Sequence, residues 1–183
     1  NRAVECQDCH NTHKVQGVAH TYTTTATLTR NQVTFPLVGV SGVSINYSAF
    51  TNFQAPVLAN YTAVNPATYE YQICFKCHSS YKWLPGGPPN GLSPNGTVTT
   101  PVETDQAQEF SSKNKSGHPV VTGLDNYTNS VAVGGKKGLL AAALKAPFAI
   151  NIGTQTLMCS DCHNTNSASP AAQGPHGSSV VFM

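Results

Sequence analysis

The stretch Cys74-Phe75-Lys76-Cys77-His78 decides how this chain is read. Two cysteines three positions apart sit about one helical turn from each other, so both thiols can reach the same bound group. The histidine follows directly behind them. The same arrangement stands at Cys6-Gln7-Asp8-Cys9-His10 and at Cys159-Ser160-Asp161-Cys162-His163, and these stretches hold all 6 cysteines of the 183 residues. In C-x-x-C-H, the two thiols suit the two vinyl groups of one porphyrin, and the adjacent imidazole lies under its iron. The spacing therefore predicts three covalently attached c-type haems. Cys6, Cys9, Cys74, Cys77, Cys159 and Cys162 are the attachment points, and His10, His78 and His163 are the proximal ligands.

Rival readings of the cysteines explain less. Zinc sites pair C-x-x-C motifs across roughly 15–20 residues, whereas here the pairs begin at 6, 74 and 159, which are 68 and 85 residues apart. A disulfide framework suits a secreted chain but gives the three histidines no role. With 7 histidines in 183 residues, chance puts one behind all three pairs about once in ten thousand trials or less. A thioredoxin-like pair needs a βαβ context, and none is visible. With every thiol consumed as a thioether, neither a disulfide nor a free thiol is expected.

The four remaining histidines, His13, His20, His118 and His176, are the candidate distal ligands. His13 follows His10 by three positions. His118 lies in Ser116-Gly117-His118-Pro119 and His176 in Gly174-Pro175-His176-Gly177. There, proline fixes the backbone and glycine permits close approach of a large group. His20 opens a β-like stretch. The two methionines are poor rivals: Met158 abuts an attachment cysteine and Met183 is the last residue of the sequence. Bis-histidine ligation at all three irons follows, with lower potentials than methionine–histidine ligation would set. Four candidates for three irons imply no vacant position, and no acid–base constellation accompanies a motif. The expectation is therefore electron transfer and not an enzyme; a haem-containing reductase with an open iron site is the less favoured alternative.

Composition agrees with a core built partly around bound groups. Hydrophobic residues make up 39% of the chain and charged residues 10%, the former below the usual share of roughly 45–50%. Gly (15) and Pro (12) are plentiful, so loops should be as well. A net charge of +2 gives no case for a nucleic-acid partner. The longest apolar run, residues 138–144, is too short to span a bilayer. Asn1 reads as the start of a processed chain from which any signal peptide is already gone.

The organisation expected is a single three-haem domain over 1–183. Its fold class is a mostly irregular, coil-rich multihaem cytochrome, with short helices at the haem motifs and a core filled by haems. A β-like insertion, about 18–64, separates the first two motifs. Its strand candidates are Tyr22–Leu28, Val33–Phe35 and Val43–Tyr47, where Thr, Val and Tyr alternate. Residues 66–83 are expected to contain a short helix running into the second motif, with Pro66 acceptable in its first turn. Residues 84–101 read as a loop. Residues 104–111 read as one or two helical turns capped by Thr104, and Leu139–Lys145 as another short helix. N-x-S/T sequons stand at Asn46, Asn60, Asn95, Asn114 and Asn126.

Several stretches resemble a known family. Residues 70–81 around the second motif are similar to the haem regions of large multihaem cytochromes from metal-reducing prokaryotes. So are residues 104–110 followed by Ser116-Gly117-His118-Pro119, and the third motif followed by Gly174-Pro175-His176-Gly177-Ser178. The likeness covers about half the chain and leaves out the β-like part. Members are exported and face the cell surface or beyond, and several resemble subunits of extracellular cytochrome filaments. The resemblance implies a nanowire subunit whose partners are copies of itself in a head-to-tail polymer, together with redox proteins or extracellular electron acceptors. A histidine of one subunit can then ligate a haem of the next. A monomeric periplasmic or surface electron shuttle is the alternative, because the filament subunits of this group carry four or more haems.

Overall fold

A computed structural model of the chain describes residues 4–15, 31–83, 105–115, 117–123, 141–146, 148–149, 155–163, 165 and 175–176. Among them are three helices, α1 (Cys6–Cys9), α2 (Glu70–His78) and α3 (Gln106–Glu109), and one antiparallel sheet of β1 (Gly42–Ile45) and β2 (Tyr61–Val64).

Helix α2 is the centre. Just before its first turn, Gln72 Oε1 accepts from the backbone N–H groups of Thr68 (2.9 Å) and Tyr69 (3.1 Å), which have no helical partner. Glu70 at the start and Lys76 and His78 near the end suit the helix dipole. The helix stops where Ser79 turns its hydroxyl back onto the Phe75 carbonyl at 2.6 Å. It is buried on two sides. Tyr71 and Phe75, one turn apart, join Val43, Tyr61, Ala107 and Val120 in one apolar cluster, while Ile73 joins Val40 and Ala67 in another.

The sheet packs on this helix. Gly42 pairs with Val64 and Ile45 with Tyr61. A β-carbon on Gly42 would come within 2.9 Å of the β-carbons of Ala67 and Gln72, so only glycine lets β1 approach α2 this closely.

Several expected elements differ in detail. Val33–Phe35 is no strand: Pro36 has no N–H for a ladder, and Phe35–Leu37 forms a 3-10 turn instead. Gln32 makes a single bridge to Tyr69. Of the expected β-like insertion, the described ladder comprises β1 and β2, while Tyr22–Leu28 lies outside the described residues. The short helix expected within 66–83 is α2, and Pro66 lies four positions ahead of it and not in its first turn. Asp105 caps α3, its carboxylate accepting from Ala107 N at 3.0 Å; Thr104 lies outside the described residues. In the third expected helix, Ala141–Ala143 forms a 3-10 turn. Among the described residues, no helix is long and apolar enough to cross a membrane.

Asn31 ties distant segments to this centre. It is 1% exposed; its Nδ2 donates to the carbonyls of Val120 (2.7 Å) and Val121 (3.3 Å), and its N–H donates to Thr156 Oγ1 (3.2 Å). Its own carbonyl accepts from Glu70 N at 2.9 Å, at the head of α2. Removing its amide strands buried carbonyls, at a penalty of about 1–3 kcal/mol. Asn31→Ala should therefore lower the free energy of unfolding by that amount, read as a lower urea midpoint with an unchanged slope. An unchanged midpoint would remove Asn31 from this role.

Candidate functional site

The three C-x-x-C-H stretches share one local geometry. In the first, α1 puts Cys6 and Cys9 one turn apart, and His10 N donates to Cys6 O at 2.8 Å. In the third, Cys159–Asp161 forms a 3-10 turn, and His163 N donates to Cys159 O at 2.9 Å. The second occupies the end of α2. The histidine thus follows the cysteine pair at the end of a helical turn each time.

The positions between the cysteines explain how such short turns stand. Asp8 and Asp161 hold the same place in their motifs. Each accepts from the backbone N–H of the residue before the first cysteine: Glu5 N to Asp8 Oδ2 at 3.0 Å, and Met158 N to Asp161 Oδ2 at 2.8 Å. That is one half of a capping box, and it satisfies a donor the turn would leave bare. The second motif ends a nine-residue helix and needs no such cap. Lys76 stands there instead, and its Nζ donates to Asp8 O at 2.6 Å.

This last bond joins motif two to motif one, and Glu70 joins α2 to motif three. Its carboxylate accepts from Ser160 N (2.8 Å) and Ser160 Oγ (2.9 Å), with Glu70 only 3% exposed. Cys74 and Cys159 lie beside it: one carboxylate oxygen and the two sulfurs fall within 4.8 Å of one another. Cysteine pairs far apart in sequence therefore converge on α2. Neither Asn31 nor Glu70 carried a sequence signal, since each works through partners about 90 residues or more away.

Burial pushes the Cys9 thiol above its ordinary value, with Cys74 and Cys77 adding to this and Lys76 opposing it. A hydrogen bond with Cys159 and then burial hold Cys74 well above its ordinary value, and Glu70 adds to the effect. No disulfide joins any of the six cysteines. Cys6, Cys77 and Cys162 are exposed, whereas Cys9, Cys74 and Cys159 are half-buried.

The histidines are placed as follows. His10 is half-buried, and its Nδ1 is 2.7 Å from the Pro36 carbonyl, leaving Nε2 as the nitrogen open to a metal. The Pro36 loop is held in place by Asn11 Nδ2, which donates to Gly39 O at 2.8 Å. Gly39 has φ +84, and a β-carbon there would stand 2.7 Å from Lys14, so this clamp needs glycine. His78, His163, His13, His118 and His176 are exposed. His176 meets His10, with ring centroids 6.0 Å apart. His118 lines a cavity of about 620 Å³ with Phe53, Phe110, Glu109, Asn114 and Lys115. Its neighbour Pro119 accepts from Leu157 N at 2.9 Å, next to motif three. His20 lies outside the described residues.

These residues fit covalently held haem. The two cysteines of each pair stand about one turn apart, each pair is followed by an imidazole, and His13, His78, His118, His163 and His176 are exposed. Glu70, Cys74 and Cys159 also form a compact donor set for a metal ion. That set takes one cysteine from each of two pairs and no histidine, and both carboxylate oxygens already accept from Ser160. Among the sequons, Asn114 is closed to modification: it is 6% exposed, and its Nδ2 donates to the carbonyls of Gln108 and Glu109. Asn95 and Asn126 lie outside the described residues. No known protein family, curated protein or solved structure matches the chain.

Proposed function

We propose that this chain transfers electrons through three covalently attached, bis-histidine c-type haems. The observation that carries the reading is the convergence of three C-x-x-C-H turns, remote in sequence, on one buried helix. A disulfide or zinc protein has no need of a histidine at the end of each turn. Bound haem iron supplies one-electron chemistry between its ferric and ferrous forms.

The chain's own residues then have three tasks. The cysteine pairs fix each haem. Lys76 and Glu70 lock the three attachment turns to one another, so their separations stay constant. The Pro36 carbonyl orients the His10 imidazole and sets its basicity, which tunes the metal. With two imidazoles for each iron, no position is open to substrate, and the protein is proposed as a carrier and not as an enzyme. The resemblance extends the proposal to an exported subunit of an extracellular filament of head-to-tail copies. The single-subunit shuttle differs from it only in assembly.

Denatured, reduced protein should retain three haems per chain by mass spectrometry, contain three irons and no zinc, and leave no thiol open to alkylation. The ferric spectrum should be entirely low-spin. A haem-free chain with alkylatable cysteines would overturn the reading, and a high-spin fraction at native pH would favour the reductase. Electron microscopy of secreted material should show filaments; dispersed particles of one subunit would leave the shuttle.

A further inference from the structure

His10 and His176 lie at opposite ends of the sequence, yet their ring centroids are 6.0 Å apart with planes inclined by 42°. Two imidazoles on opposite sides of one metal ion, each held by a bond of about 2 Å, put their ring centroids roughly 6 Å apart. Rotation of either ring about the metal–nitrogen axis leaves that distance unchanged, so a tilt of 42° is compatible with it. The nitrogens agree with this arrangement. His10 Nδ1 is committed to the Pro36 carbonyl at 2.7 Å, and Nε2 is left for the metal. His176 is exposed, and the flanking Pro175 and Gly177 of the sequence are residues that fix the backbone and permit close approach of a large group.

We propose that His10 and His176 are the two axial ligands of one iron, that of the haem attached through Cys6 and Cys9. The assignment rests on the haem reading above and adds to it a pairing that the spacing of residues cannot give. It also gives His176 a function: the first motif is completed by a ligand more than 160 positions away. His13, three residues from His10, is then not the ligand of that iron.

His176→Ala tests this in the intact protein. Mass spectrometry should still find three haems, and one haem in three should turn high-spin and bind cyanide. His13→Ala should leave the first haem, on Cys6 and Cys9, low-spin. The identity of the altered haem follows from a second background. Cys6→Ala/Cys9→Ala should carry two haems, both low-spin, and adding His176→Ala should leave both low-spin. If the double-cysteine variant does not fold, Cys6→Ala alone leaves the first haem on a single thioether with a shifted absorption band. In Cys6→Ala/His176→Ala, the high-spin signal should then belong to that shifted haem.

Three haems that all stay low-spin in His176→Ala overturn the pairing and leave the electron-transfer reading intact; the ring contact is then an ordinary one. A high-spin haem other than the first likewise overturns it. Fewer than three haems in the unaltered protein overturn the haem reading, and the pairing with it.

Discussion

Phe75→Ala lowers the stability of the fold by about 3–5 kcal/mol, the range for deleting a fully buried phenylalanine. Phe75 is 1% exposed, the largest of the fully buried side chains among the described residues. Its ring lies 5.3 Å from that of Tyr71, and it packs with Val43 of β1, Tyr61 of β2, Ala107 of α3 and Val120. One side chain thus holds α2 against the sheet and against α3, and it does so from between Cys74 and Cys77. The variant should melt roughly 6–20 °C below the unaltered protein, followed by circular dichroism. Val57→Ala, at a site 58% exposed, is the control and should stay within about 0.5 kcal/mol. Equal melting of the two variants would show that the cluster around Phe75 does not organise the site.

What could be read in the sequence was local. The spacing of Cys74, Cys77 and His78 specifies a helical turn, and α2 supplies it. The alternation over Val43–Tyr47 marks β1, but its partner Tyr61–Val64 carries only four residues between an asparagine turn and a proline, too short to stand out. Val33–Phe35 has strand-like residues and loses to Pro36. Thr104 and Asp105 are both good caps, and only the position of Ala107 N chooses Asp105. Long-range roles left no trace. The aspartates within motifs one and three read as filler until Glu5 N and Met158 N are seen on them. Asn31, Lys76 and Glu70 read as ordinary polar residues, because their bonds depend on which segments the fold brings together.

Glu70 carries the other large effect, and two substitutions separate its two contributions. Glu70→Ala removes the acceptors of Ser160 N and Ser160 Oγ, both buried. Hydrogen bonds to a charged group contribute about 1.5–3 kcal/mol each, so the pair amounts to about 3–6 kcal/mol. Glu70→Gln keeps one carbonyl oxygen for Ser160 N, and the Ser160 hydroxyl can turn toward Met158 Sδ, 3.8 Å away. It should therefore retain much of the stability that alanine loses. What it removes is the charge. The carboxylate lies within 4.8 Å of the sulfurs of Cys74 and Cys159, where a low local dielectric strengthens its field. A negative charge there favours ferric over ferrous iron in the two haems those sulfurs would hold. Glu70→Gln should raise two of three reduction potentials in a spectroelectrochemical titration and leave the third, on motif one, nearly in place. Three potentials that stay where they were, in a variant that remains folded, would confine Glu70 to tying motif three onto α2. A uniform rise of all three would point to a general loosening of the protein around the haems, since a single charge at this position acts most strongly on its own two neighbours.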